Sequence, residues 1–129
     1  MKIGEIKIEA LRLMFITQRD TPSVETLDEL TAREEYGSYL ASMDGSIRRC
    51  YADLLCRGVL DEWPSERENT EECDVNEVIA VWIPYWIAGE LFREDEPELA
   101  AEMWSRYERE IGRMTREAAK ETVYSLTEV

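Results

Sequence analysis

Apolar residues along the chain recur at helical rather than strand spacing, and this pattern divides the sequence into segments. Over Gly4 to Ile16, Ile6, Ala10, Leu13 and Met14 share one stripe, and Ile8, Leu11 and Phe15 share the next. Such a wide apolar face predicts a buried helix, although alternation from Ile3 to Ile8 would also suit the start of a strand. Thr21-Pro22-Ser23 reads as a helix start followed by Val24, Leu27 and Leu30, which predicts a short helix or turn. Asp44 is placed to cap a third helix with Ile47, Tyr51, Leu54 and Leu55 on its inner side. Gly58 can stop that helix in the left-handed region, with Val59 packing back over the end.

From Asp61 to Glu77 the pattern breaks. DEWPSERENTEECDVNE holds eight acids and one base, and it reads as a solvated connector. Its last residues, Asp74 to Glu77, have capping-box spacing and predict the start of a fourth helix. The segment that follows, Val78 to Gly89, has 12 residues and no charge. Pro84 sits inside it, where a proline removes a backbone hydrogen bond and presses on the carbonyl four residues back. The helix must therefore kink or restart there, reorienting Tyr85 and Trp86. Asp95-Glu96-Pro97-Glu98 reads as a turn with a proline suited to the first helical position and a second capping-box spacing. A fifth helix then aligns Ala100, Trp104, Tyr107, Ile111, Met114 and Ala118, with Glu and Arg alternating on the far side. The last two helices are expected to form a hairpin, with Trp82, Pro84, Tyr85, Trp86, Trp104 and Tyr107 as packing or interface residues. The tail, Thr122 to Val129, is rich in β-branched and aromatic residues, which predicts an extended, mobile terminus. The fold class is thus all-α: a small bundle of four to five helices, a long C-terminal hairpin and an extended tail. One helical domain spans 1–121, and 122–129 is the tail.

Composition narrows the function. The chain has 129 residues, 29 acids against 15 Lys and Arg, and a net charge of -14. That charge opposes attachment to nucleic acid or to an anionic membrane surface. The charge-free run is shorter than the ~20 residues a membrane-spanning helix needs. Charges interleaved through MKIGEIKIEALRLMF do not suit a secretory signal, so a cytoplasmic product is expected. Three cysteines, Cys50, Cys56 and Cys73, form no CxxC pair, and the chain has no histidine; no metal or other cofactor is expected. Without a histidine base, a GxSxG elbow or a phosphate-cradling glycine loop, the usual parts of nucleophilic and nucleotide chemistry are missing. The reading is noncatalytic.

The run IPYWIAGELFREDEPELAAEMWSRYE, Ile83 to Glu108, resembles the head-to-tail connector, or adaptor, proteins of tailed bacteriophages and prophages. KIEALRLMF near the N-terminus and YLASMDGSIRRCYADL in the middle carry the same likeness. The resemblance implies an α-helical structural protein of the virion. It would assemble as a homo-oligomeric, usually twelve-fold, ring between the portal and the tail-side connector proteins, and remain monomeric until the portal templates it. Assembly would take place in the host bacterial cytoplasm and end in the virion. Acidity would then serve a channel through which DNA slides without sticking. In such proteins the C-terminal segment reaches into the portal, which makes Val123, Tyr124 and Leu126 candidate portal-binding residues. Some longer relatives carry a β-rich insertion where this chain has only the acidic connector. The competing reading is a monomeric, acidic, phage-encoded binding or inhibitor protein that imitates DNA charge. A mimic should spread acids over its helices, whereas half of the net charge here lies in one connector.

Overall fold

The computed structural model describes residues 1–15, Leu27, Leu30 and 32–127, with side chains through residue 117. Among the described residues five helices are bounded, in order: α1 Ile3–Phe15, α2 Glu34–Cys56, α3 Glu77–Ala80, α4 Ile83–Leu91 and α5 Pro97–Thr127. No strand occurs among the described residues; the one isolated bridge pairs Lys2 with Glu72. The predicted start at Thr21-Pro22-Ser23 lies outside the described residues, but Leu27 and Leu30 are buried in the common core.

At the chain's beginning the helical alternative holds from Ile3, and Ile6, Ala10, Leu11 and Met14 all face inward. The first amides of a helix lack partners within it. Here the connector supplies them, since Ile3 N donates to the Glu71 carbonyl at 3.1 Å and Gly4 N to that of Asn69 at 2.9 Å. The acidic connector is therefore more than a solvated link: its acids face water while its carbonyls cap α1 and Val75 enters the core.

Helix α2 begins at Glu34, ten residues before the predicted start at Asp44. Leu40 and Met43 extend the Ile47, Cys50, Tyr51 and Leu54 face backwards at steps of three and four. Glu34 and Glu35 place negative charge at the dipole's positive end. Asp44 is consequently a mid-helix residue, and it pairs with Lys7 of α1 at 2.9 Å. The other end is as predicted. Gly58 has φ +75°, and Val59 N bonds the Leu54 carbonyl while Gly58 N bonds that of Leu55, at 3.0 and 3.1 Å. This is the Schellman pattern, which needs a residue without a Cβ at the left-handed position.

Two of the expected caps are displaced. Asn76, not Asp74, caps α3 by accepting from Val78 N at 3.0 Å, because the Asp74 carboxylate is engaged with Ser65 N at 2.9 Å. Asp95 does not cap α5; it accepts the Tyr39 hydroxyl, and Glu96 directly precedes the first helical residue, Pro97. At Pro84 the chain restarts. Helix α3 ends at Ala80 and α4 opens at Ile83 with Pro84 in its first turn, where the missing N–H costs nothing.

Helix α4 is buried nearly all round, through Ile83, Pro84, Trp86, Ile87, Ala88 and Gly89, and it packs against α1, α2 and α5. Its single charged residue, Glu90, is met by Arg49 of α2, and the rest of the helix carries no charge, as such a central position requires. Trp86 meets Tyr107 and Gly89 meets Trp104, so residue numbers rise along α4 as they fall along α5: the two run antiparallel, as a hairpin. Ala100, Met103, Tyr107 and Ile111 are α5's buried residues, and Met114 is the last described side chain packed on the core. The helix backbone continues to Thr127, so residues 122–127 are helical rather than extended. Adding a turn to an existing helix avoids the cost of nucleation and outweighs the few tenths of a kcal/mol by which Thr, Val and Tyr disfavour it. No described helix is long and apolar enough to cross a membrane.

Candidate interaction surface

The six aromatic and proline positions singled out in the sequence divide into an inner and an outer set. Pro84, Trp86 and Tyr107 are buried. Trp86 lies 4.7 Å from Trp104 and 5.2 Å from Tyr107, centroid to centroid, the latter contact edge-on at 66°. Such tilted pairs add roughly 0.5–1.5 kcal/mol beyond burial. Trp86 Nε1 is enclosed without a hydrogen-bond partner, a cost of about 1–3 kcal/mol that this packing must offset. Trp104 is half-buried against the Gly89 backbone.

A polar network that the sequence reading missed joins α2 to α5 behind these rings. Tyr107 Oη donates to Asp53 Oδ2 at 2.7 Å. Arg57 Nε reaches the same carboxylate at 2.9 Å, and its guanidinium also pairs with Glu108. That guanidinium stands 5.8 Å from the Tyr107 ring centre, within cation–π range. The available signal was the four-residue spacing of Asp53 and Arg57 on a helix whose inner face was already recognised.

Burial pushes the Tyr107 hydroxyl up from its ordinary value, with Cys50 and the bond to Asp53 acting in the same direction. Burial likewise raises Cys50, and raises Tyr51, whose hydroxyl also meets Cys73 Sγ at 3.3 Å. Their ordinary values are 9.0 for the thiol and 10.0 for the phenols. Below the ordinary values both folded and unfolded chains keep these protons and stability is undiminished. As pH rises through them, the unfolded chain releases protons that the folded chain retains, so stability falls. The melting temperature should hold between about pH 7 and 8.5 and drop steadily by about pH 11. Differential scanning calorimetry across that range checks this, and a flat profile would contradict it.

The outer set faces water. Val78 is 66% and Val81 39% exposed, and Trp82 and Tyr85 are half-buried with ring centroids 5.1 Å apart. Positions 78, 81, 82 and 85 follow one helical stripe across the α3–α4 junction, because Val81 and Trp82 both keep right-handed helical dihedrals. Sequence reasoning named Trp82 and Tyr85 but not Val78 and Val81, although the spacing was there to be read. Val123, Tyr124 and Leu126 fall on the last turns of α5, and their side chains lie outside those described. Cys50 is buried, Cys73 half-buried and Cys56 exposed, all as free thiols. Among the described residues no group of three or more Cys, Asp or Glu side chains is placed to hold a metal ion. No family model, curated protein or solved structure matches the chain.

Proposed function

We propose that this chain is a noncatalytic connector of the tailed-phage type. It joins the portal of a phage head to the tail as a ring around the DNA channel. The observation that carries this reading is the Ile83 to Glu108 run, whose residues form the buried α4, the acidic turn and the inner face of α5. Ring or portal contacts would fall to the outer stripe of Val78, Val81, Trp82 and Tyr85, and to the last turns of α5 with Val123, Tyr124 and Leu126. The DNA-mimic alternative is less well supported, because the acids of α5 are matched by arginines. Glu102 pairs with Arg106, and Glu110 and Glu117 both pair with Arg113.

The test is to mix the purified protein with its portal ring. Light scattering should give a monomer or small oligomer for the protein by itself and a larger, decorated portal complex, visible by negative-stain microscopy. Val81→Glu combined with Tyr85→Ser, or deletion of 122–129, should weaken decoration while leaving the α4–α5 core folded. A portal that gains no mass from the intact chain ends the connector reading.

A further inference from the structure

Beyond Met114, the last described side chain packed on the core, the backbone of α5 runs on to Thr127, a further length of roughly 20 Å. The pattern of its sequence changes there. The inward line of Tyr107, Ile111 and Met114 continues at steps of three and four through Ala118 to Glu121, Thr122 and Ser125, so it loses its apolar character. Apolar residues recur instead at Ala119, Val123 and Leu126, a line rotated by about a third of a turn from the inward one. By register, this second line does not continue the contact of α5 with α4.

The line has a counterpart in the exposed stripe of Val78, Val81, Trp82 and Tyr85. Positions 78 to 85 and positions 119 to 126 each span about two helical turns. Their flanks differ in charge. Glu77, one turn before Val81, is 72% exposed and meets the chain's amino terminus at 3.4 Å, a surface pair of the kind that holds weakly. On α5, Arg116 and Lys120 stand four apart beside positions 119 and 123, and Arg116 is exposed and without an ion pair among the described residues. Glu117 and Glu121 fall on the far side of the helix from that line. In a chain of net charge -14, a basic flank beside an apolar line is an exception that matches the acidic flank of the stripe.

We propose that the end of α5 of one copy lies along the α3–α4 stripe of a second copy. Positions 119, 123 and 126 meet Val78, Val81, Trp82 and Tyr85, and Arg116 and Lys120 approach Glu77. One chain cannot close this contact on itself, because α5 already meets its own α4 along the inward line. The inference rests on the connector reading in taking both surfaces as assembly contacts, and it adds which of them meet. Net charge opposes the approach of two copies, but screening confines that effect to about 8 Å at physiological salt. A two-turn contact is small, so it forms at high concentration or where the portal holds copies side by side and raises their effective concentration.

Cross-linking between separately prepared full-length chains provides the test, with Cys56→Ser in both to remove the exposed thiol. One chain carries Val81→Cys and the other Val123→Cys. They are mixed at about 0.5 mM, and again on the portal ring, and treated with a short bismaleimide. A hybrid dimer should form in at least one setting, and either chain by itself should give about tenfold less. Tyr85→Ser in the first chain should lower the yield about fivefold. Lys120→Glu in the second should lower it about two- to fivefold, and Glu77→Lys in the first should restore it. Ser42→Cys, exposed on α2, in place of Val81→Cys should leave only background. No hybrid above background in either setting, a yield unchanged by Tyr85→Ser, or an equal yield from Ser42→Cys would overturn the pairing. Cross-links within a chain that carries both cysteines, in dilute solution, would place the end of α5 on its own stripe and overturn the second copy as occupant. Portal decoration is read separately by mass: decoration without the hybrid ends this inference and leaves the connector reading, and the hybrid without decoration does the reverse.

Discussion

Tyr107→Ala should cost about 3–5 kcal/mol of stability, the range for deleting a buried aromatic side chain. Tyr107 is fully buried at the point where three elements meet. Its ring touches Trp86 of α4 and Trp104 of its own helix, and its hydroxyl fixes Asp53 of α2. Truncation removes the ring from the centre of the hairpin and leaves a cavity that the rigid helices around it cannot close. Tyr107→Phe should cost only about 1–2 kcal/mol: the ring stays, and Asp53 keeps Arg57 at 2.9 Å as a partner. Against a total stability of roughly 5–15 kcal/mol for an ordinary domain, the alanine variant should be on the edge of unfolding at 37 °C and the phenylalanine variant should not. Urea unfolding followed by circular dichroism measures both. Equal losses in the two variants would mean that the hydroxyl network, not ring packing, holds α5 to the core.

The pattern of apolar residues carried the inner faces of the helices, and composition carried the turns. Gly58 with Val59 behind it and Pro97 after an acid were legible because each depends on a local backbone requirement that few residues meet. The inner half of the candidate site was legible for the same reason: Trp86, Trp104 and Tyr107 sit at helical spacing on two apolar faces. What local reading missed was set by tertiary contact. The first ten residues of α2, Glu34 to Met43, include Gly37 and several polar residues, and their helix is supported by Leu40 and Met43 meeting the core. Asp44 looked like a cap because carboxylates favour that position, yet its partner, Lys7, is 37 residues away in sequence. Asp74 and Asp95 were likewise drawn from capping to Ser65 and Tyr39. In so acidic a chain, carboxylates at cap spacing are common, and only the fold decides which are free to cap.

The exposed stripe shows the converse limit. Val78, Val81, Trp82 and Tyr85 have the spacing of a core face, and periodicity alone cannot say that α4 already buries its other sides against three helices. A central helix that is apolar on nearly every side leaves one more apolar face than the bundle can cover, and that surplus lies at the α3–α4 junction. Pro84 contributes to it. By restarting the helix it sets the junction beside the buried first turn of α4.

Gly89→Ala should destabilise the protein by about 1–3 kcal/mol, against the usual trend for alanine in a helix. Replacing a mid-helix glycine with alanine ordinarily gains about 1 kcal/mol. At residue 89, however, an added Cβ would stand 3.1 Å from Trp104 Cε3 and 3.2 Å from both Trp104 Cβ and Trp104 N. The indole could swing, but a backbone nitrogen inside α5 moves only with its helix, so the hairpin must open slightly along its length. Gly112→Ala is the matched control. Its nearest neighbour would be the tip of Arg116 at 3.6 Å, an ordinary contact with a flexible group, and it should stabilise by about the helix-propensity gain of 1 kcal/mol. The two substitutions thus share chemistry and differ only in what faces the new methyl group. Trp104→Leu should relieve part of the Gly89→Ala penalty, a coupling that a double-mutant cycle reads directly. The relief should be partial, because the contact with the Trp104 backbone nitrogen survives the change of side chain. A stabilising Gly89→Ala, or a strictly additive double mutant, would show that α4 and α5 are not packed backbone to side chain at this point. The close approach also places the end of α4, and with it the turn into Pro97, tightly against α5. A variant that opens it should disturb Trp86 and Trp104 fluorescence before it disturbs the distant Gly58 cap.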